Sequence, residues 1–132
     1  LVAEVPVRFS DMDAMGHVNN AVYLNYLEAA RVEYLARVMG VVEPEDYGVI
    51  IARVEIDYKS PASNRETILV GCRVESLGGS SIRMDYRLED KATGRLVALA
   101  KTVMVAYDYG LGKPKRLNEE LRRKMEDFDG IA

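Results

Sequence analysis

The chain has 132 residues, 48% of them hydrophobic, a formal net charge of −3 and a single cysteine, Cys72. This length predicts one domain over residues 1–132, and the lone cysteine excludes an internal disulfide or a cysteine-based zinc site and favours the cytoplasm. The acidic balance disfavours a nucleic-acid partner, no apolar run is long enough to span a membrane, and the opening segment LVAEVPVRF does not resemble a secretory signal.

The first predicted strand runs from Glu4 to Phe9, where valine and phenylalanine alternate with polar residues or proline. Pro6 cannot donate a hydrogen bond to a neighbouring strand, so this strand is expected at an edge of the sheet. The next residues, 10–17, contain two aspartates and a glycine and show no periodicity, which predicts a loop.

A long helix is predicted from Asn20 to Met39, with Asn19 or Asn20 as its cap and Gly40 at its end. Glu33 and Arg37 lie one turn apart and mark the expected solvent-exposed strip. A helix that is apolar around most of its circumference is expected to be wrapped by a sheet. Apolar side chains recur here at Tyr23, Leu24, Leu27, Ala30, Val32, Tyr34, Leu35, Val38 and Met39.

Four strands are predicted after the helix, separated by turns at Gly78-Gly79 and Thr93-Gly94. The last strand, Arg95 to Asp108, is apolar on both faces and is therefore expected inside the sheet or at a subunit contact. A short C-terminal helix is predicted after Asn118, with its apolar side formed by Leu121, Met125 and Phe128. The alternating strands predict three inward-facing sets, which are Ile50, Ala52, Val54, Ile56 and Tyr58, then Ile68, Val70, Cys72 and Val74, then Ile82, Met84, Tyr86 and Leu88.

This order of elements predicts an α+β fold, because a single long helix interrupts an otherwise consecutive series of antiparallel strands. The sheet has one apolar face, and the long helix is the element that this face would cover.

The candidate site lies just ahead of the long helix, where Asp11 and Asp13 precede His17 and the pair Asn19 and Asn20. Unpaired amides at a helix N-terminus carry partial positive charge and attract developing oxyanions. A nearby carboxylate could act as nucleophile or general base, so the combination suits acyl transfer. The structural alternative is an acidic turn that only caps the helix.

Three other chemistries are disfavoured by the sequence. Asp11, Asp13 and Gly16 match three positions of an EF-hand loop, but Met15 and Val22 occupy positions where calcium ligands are required. No serine lies in a Gly-x-Ser-x-Gly elbow, which disfavours a serine hydrolase. A single histidine cannot form a multi-histidine metal site.

Together these residues resemble the hotdog-fold thioesterases, in the group of 4-hydroxybenzoyl-CoA and short-chain acyl-CoA thioesterases. The downstream segment Tyr58-Lys59-Ser60-Pro61-Ala62 is similar to the family's Y-x-x-P-A. The loop sequence His17-Val18-Asn19-Asn20 is similar to the one found in long-chain acyl-CoA and plant acyl-carrier-protein thioesterases. The main motif, D-x-D-x-x-G-H-V-N-N followed by Y-x-x-x-x-E-x-x-R, is formed by Asp11, Asp13, Gly16, His17, Val18, Asn19, Asn20, Tyr23, Glu28 and Arg31.

The resemblance implies a curved five-stranded antiparallel sheet around one central helix, and a homo-oligomer, either a dimer or a dimer of dimers. It implies an acyl-CoA substrate and no metal or redox cofactor, since coenzyme A belongs to the substrate. Asp13 would attack the thioester carbonyl or activate water, and the Asn20 amide would bind the carbonyl oxygen. Asp11 would lie next to the site as an orienting residue.

The remaining site residues have open roles. His17 could protonate the leaving thiolate, position substrate, or pack against the helix. Asn19 could contact substrate or only cap the helix, and Tyr23 could line the acyl pocket or belong to the core. Lys59 and Ser60 are predicted to bind substrate. The coenzyme A phosphates could meet basic residues, or these residues could form ordinary solvated surface: Lys59, Arg65, Lys113, Lys115 and Arg116.

Two other functions remain open from the sequence. One is hydrolysis of acyl chains carried by an acyl-carrier protein, which would need a basic docking surface. The other is a non-catalytic acyl-CoA-binding module of the same fold.

Overall fold

The structure, a computed structural model, describes residues 1–40 and 48–131. Two short 3-10 turns, Phe9–Asp11 and Asn20–Val22, lie in the segment between the first strand and the long helix, and the second runs directly into that helix. The main elements, in chain order, are β1 (Val2–Pro6), α1 (Tyr23–Met39), β2 (Val49–Tyr58), β3 (Thr67–Leu77), β4 (Ser81–Asp90), β5 (Leu96–Asp108), β6 (Lys113–Pro114) and α2 (Glu119–Asp129).

The sheet has the strand order β1-β3-β4-β5-β2, with every neighbouring pair antiparallel and the two-residue β6 added beside β5. The predicted α+β fold, a curved five-stranded antiparallel sheet with one long helix and a short C-terminal helix, is confirmed. Two positional predictions are confirmed as well, because β1 with Pro6 forms one edge and β5 lies inside the sheet.

The first strand was predicted too late in the chain. It ends at Pro6, and Phe9, which was predicted as its last residue, is 82% exposed in a 3-10 turn. The reason is a local hydrogen bond, in which the backbone N–H of Arg8 donates to the Asp11 carboxylate over 2.9 Å. This contact turns the chain out of the sheet before Phe9.

The predicted inward sets of β3 and β4 are all buried, but in β2 only Ile56 is partly buried, and the rest of the predicted set, Ile50, Ala52, Val54 and Tyr58, is exposed. A β-bulge between Ile51 and Arg53 shifts the register. Ile51 therefore pairs with the buried Met104, while Ile50 pairs with Val105 on the opposite face. A bulge depends on the partner strand, so alternation within β2 alone could not predict it.

The predicted helix ends are confirmed at Asn19, whose side chain accepts the Ala21 amide, and at Gly40, whose φ of 70° is left-handed. Glu33 and Arg37 are exposed as predicted, but burial is more one-sided than predicted, because Leu24 and Val32 are 40% and 36% exposed. The helix packs on β1, β3 and α2. Its buried side consists of Tyr23, Tyr26, Leu27, Ala30, Tyr34 and Leu35.

The C-terminal helix α2 is fixed to the core by its last turn. Asn118 caps it as predicted, and Leu121 and Met125 are buried, whereas Phe128 is 43% exposed. Asp129 accepts a hydrogen bond from the Val74 amide over 2.9 Å and another from the Tyr34 hydroxyl. Within the described ranges, no helix has the length and apolar character needed to cross a bilayer.

Replacing Asp129 with alanine is expected to lower the free energy of unfolding by about 2–3 kcal/mol, because it leaves the Val74 amide and the Tyr34 hydroxyl unpaired in the interior. Urea denaturation measures this loss. The matched control is Asp127→Ala, two residues earlier on the exposed side of α2, which should change stability by less than about 0.5 kcal/mol. Equal effects of the two changes would contradict the docking role.

Candidate active site

A cleft of about 350 Å³ lies at the start of α1, between the 11–18 loop and the end of β2. Six of the seven predicted site residues line it, and the seventh, Asn19, caps the helix beside it. Residues far apart in the sequence are thus brought to one place. The complete lining is Asp13, His17, Val18, Asn20, Tyr23, Tyr58, Lys59, Ser60 and Pro61.

The loop is held by Asp11, which is only 2% exposed. Its Oδ2 accepts hydrogen bonds from the Arg8 backbone amide at 2.9 Å and from the Tyr26 hydroxyl at 2.8 Å. Its Oδ1 lies 3.2 Å from the Arg8 guanidinium, and its carbonyl accepts the Asn19 amide at 2.9 Å. Asp11 therefore ties the loop to both the body and the start of the long helix.

The charge on Asp11 is maintained by these contacts. Burial by itself raises the pKa of this carboxyl group, but the hydrogen bonds from the Arg8 amide, the Tyr26 hydroxyl and the Arg8 guanidinium outweigh it. The net pKa of Asp11 lies below its ordinary value. Asp11 is therefore an ionised anchor at neutral pH.

Asp13 lies at the mouth of the cleft in a tight turn. Its Oδ1 accepts hydrogen bonds from the amides of Met15 at 2.8 Å and His17 at 3.2 Å, and its own amide donates to the His17 carbonyl at 2.7 Å. Within residues 1–40 and 48–131, no group donates a hydrogen bond to its Oδ2. One oxygen thus fixes the carboxylate, and the other is available to a ligand in the cleft.

The His17 backbone closes the turn around Asp13, and its exposed side chain lines the cleft. The imidazole makes no hydrogen bond to the described part of the chain. The alternative in which His17 packs against the helix and satisfies a carbonyl is therefore not what the structure shows.

The amide of Asn20 is the free donor at the helix start. Asn19 accepts the Ala21 amide on its side chain at 2.9 Å and the Val22 amide on its carbonyl at 2.9 Å. Asn20 is the first residue of the turn, where an amide has no partner inside the helix. No described residue accepts from it, so this N–H can donate to a ligand.

Two tyrosines form the inner wall of the cleft. Tyr23 is 3% exposed, and its hydroxyl accepts the Ala62 amide at 3.1 Å, so it belongs to the core as well as to the lining. Tyr58 packs its ring edge-on against Tyr23 at 5.2 Å and donates a hydrogen bond to the Asn20 carbonyl at 2.8 Å. Tyr58 was not among the site residues predicted from the sequence, although it begins the segment similar to Y-x-x-P-A.

The opposite wall, Lys59 and Ser60, is fixed by backbone contacts, since both amides donate to the Val97 carbonyl at 2.8 and 3.1 Å. The Ser60 hydroxyl donates to the Leu96 backbone carbonyl at 2.7 Å and accepts from the Arg95 guanidinium at 3.1 Å. This hydroxyl already has two partners, so it supports the wall and is poorly placed to act as a nucleophile.

The basic residues considered for phosphate binding do not gather here. Lys59 lines the cleft, whereas Lys115 lines a separate cleft of about 400 Å³ beside the start of α2. Arg116 is 3.9 Å from Glu119 at the same end of α2. Among the described residues, no group of three histidine, cysteine or acidic side chains could hold a metal ion.

A cavity of about 610 Å³ lies elsewhere. It lies on the outer face of the sheet, where Arg73, Asp85, Lys101 and Glu55 stand side by side on four strands. Arg73 and Lys101 both form ion pairs with Asp85, at 3.3 and 3.0 Å. Opposite charges already neutralise one another there, and no catalytic group predicted from the sequence is part of it.

Residues 7–125 match the family model described as the thioesterase-like superfamily. The long-chain acyl-CoA thioesterase FadM of Escherichia coli is 28% identical over 127 residues, which cover 95% of this chain and 96% of that protein. The acyl-CoA thioesterase YbgC of Haemophilus influenzae is 30% identical over 123 residues, which cover 89% of this chain and 88% of that protein. A thioesterase from Thermus thermophilus, solved in complex with coenzyme A and zinc, is 35% identical and has a TM-score of 0.89. The match covers 99% of this chain and 95% of that chain.

Proposed function

Because this chain belongs to the thioesterase-like superfamily and is a thioester hydrolase, we propose that it hydrolyses acyl-CoA to a free acid and coenzyme A at the cleft ahead of α1. One observation carries the proposal. The Asp13 carboxylate and the unpaired Asn20 amide line the same cleft, which is the pairing of base or nucleophile and oxyanion donor that acyl transfer needs.

In the proposed reaction, the thioester carbonyl enters the cleft with its oxygen toward the Asn20 amide. Asp13 either attacks the carbonyl carbon, which expels the thiolate and forms an anhydride that water then hydrolyses, or removes a proton from a water that attacks the carbon before the thiolate leaves. Negative charge develops on the carbonyl oxygen in both routes, and the Asn20 N–H with the helix terminus stabilises it. Water, the carboxylate and the amide suffice without a metal or redox cofactor.

The other lining residues receive supporting roles. His17 stands beside Asp13 and is proposed to protonate or position the departing thiolate. The ammonium group of Lys59 is proposed to contact the phosphates of coenzyme A at the cleft mouth, and Ser60 to shape the wall there. Tyr23 closes the inner end against the acyl group, and Asn19 acts by capping the turn that presents the Asn20 amide.

The proposed assembly is a homo-oligomer that forms through β2. This strand is an edge of the sheet, and its inward side chains Ile51 and Val54 are 39% and 37% exposed. An exposed apolar edge strand is a template for pairing with another chain. A second copy paired with β2 would cover Ile51 and Val54. Since β2 ends at the cleft, this copy would also lie next to the site. A dimer of two such dimers is the larger form proposed.

The double change Ile51→Lys and Val54→Lys is expected to convert the oligomer into monomers, because it places two charges on the pairing edge. Sedimentation velocity measures the shift. The matched control is Val2→Lys on β1, the opposite edge, where the side chain is 60% exposed. Dissociation by Val2→Lys and not by the double change would move the interface to β1.

The function is tested with a panel of acyl-CoA substrates, short, long and aromatic, in an assay that detects free thiol. Turnover of at least one acyl-CoA, with a weaker reaction on the matched acyl-carrier-protein substrate, is the expected result. Preference for the carrier protein would favour the alternative donor. Tight acyl-CoA binding without thiol release would indicate a non-catalytic module.

A further inference from the structure

Tyr58 connects the end of β2 to the turn that starts the long helix. Its hydroxyl donates a hydrogen bond to the Asn20 carbonyl over 2.8 Å, across 38 residues of sequence. The ring packs edge-on against the buried Tyr23 at 5.2 Å, while the residue as a whole is 47% exposed and lines the cleft. Burial raises the pKa of Tyr58, so its hydroxyl is protonated and able to donate at neutral pH.

The position of Asn20 matters because its amide is the donor that the turn leaves free. The turn is a three-residue 3-10 segment, in which hydrogen-bond geometry is poorer than in an α-helix. Asn19 holds the amides of Ala21 and Val22, which lie after Asn20. Tyr58 holds the Asn20 carbonyl, so the two contacts together restrain the backbone of Asn20 from both the loop and the neighbouring strand.

We infer that Tyr58 is a positioning residue for the proposed hydrolysis: its hydroxyl fixes the backbone of Asn20 and so directs the Asn20 N–H at the thioester oxygen. The inference rests on the proposed function. It separates the role of Tyr58 from that of Tyr23, whose hydroxyl accepts the Ala62 amide and supports the wall.

The first test is the Tyr58→Phe variant, which removes one oxygen and keeps the ring contact with Tyr23. Misaligned donors cost transition-state binding more than ground-state binding, so we expect kcat to fall about tenfold with KM within about twofold of the wild-type value. The control is Tyr109→Phe, which removes the hydroxyl of a 64% exposed tyrosine after β5 and should leave both constants unchanged.

The second readout does not need turnover. The Asn20 carbonyl and the Ala21 amide belong to one peptide unit, so loss of the Tyr58 hydrogen bond should speed hydrogen exchange of the Ala21 amide several-fold in Tyr58→Phe and not in Tyr109→Phe. Unchanged kcat or unchanged exchange at Ala21 in Tyr58→Phe, beside an active wild type, would overturn the role. A wild-type protein that releases no thiol would refute the proposed function, and the role in catalysis with it.

Discussion

Replacing Asp13 with asparagine is expected to lower kcat for acyl-CoA hydrolysis by about 10³-fold, with the fold retained. An amide is neither a nucleophile nor a base at neutral pH, and a positioned acid or base contributes about 10²–10⁴-fold to such reactions. The asparagine oxygen can still accept the hydrogen bonds from Met15 and His17 that the Asp13 Oδ1 accepts. The loop should therefore keep its shape, and the loss should be chemical.

The matched control for this change is Asp127→Asn, on the exposed side of α2 and outside the cleft. It makes the same alteration of charge and size and should leave turnover unaffected. Thermal unfolding of all three proteins checks that the fold is intact. Near wild-type turnover by Asp13→Asn would remove Asp13 from the reaction.

Replacing Asp11 with alanine is expected to lower the free energy of unfolding by about 3 kcal/mol and to abolish turnover. The change leaves the Tyr26 hydroxyl and the Arg8 amide without an acceptor, because both donate to this buried carboxylate. Unpaired buried polar groups cost about 1–3 kcal/mol each. It also releases the loop that carries Asp13. Denaturant titration and the thiol assay measure the two effects.

The effect of Asp11 should depend on pH in a defined direction. The pKa of Asp11 is lower in the folded protein than in the unfolded chain, where a typical value is about 4. Its stabilisation is therefore fully present above about pH 4 and is lost as the pH falls through the folded value. The stability difference between wild type and Asp11→Ala should shrink in acid. A difference that stays constant from neutral to acid pH would contradict an ionised anchor.

Local signals predicted the long helix well. Asn19 caps its first turn by a contact two residues away, and Gly40 ends it in a left-handed conformation that glycine adopts readily. The burial of β3 and β4 also follows from alternation alone, since both strands lie inside the sheet. These features depend on residues close in sequence or on simple periodicity.

The errors came from contacts that periodicity does not encode. Phe9 leaves the sheet because of the Arg8–Asp11 hydrogen bond, and Ile50 faces outward because β2 bulges against β5. Tyr58 was missed as a site residue because its partner, Asn20, is distant in sequence. The loop motif identified most of the residues that line the cleft. The catalytic roles assigned to these residues stay predictions.

The most direct test is a crystal structure with a ketone analogue of acyl-CoA, in which a methylene group replaces the sulfur and prevents hydrolysis. We expect the ketone oxygen at about 2.7–3.1 Å from the Asn20 amide nitrogen, and the ketone carbon at about 3–3.5 Å from either an Asp13 carboxylate oxygen or a water bound to that carboxylate. An analogue whose carbonyl lies outside this cleft, for example in the cavity on the outer face of the sheet, would contradict the proposed site.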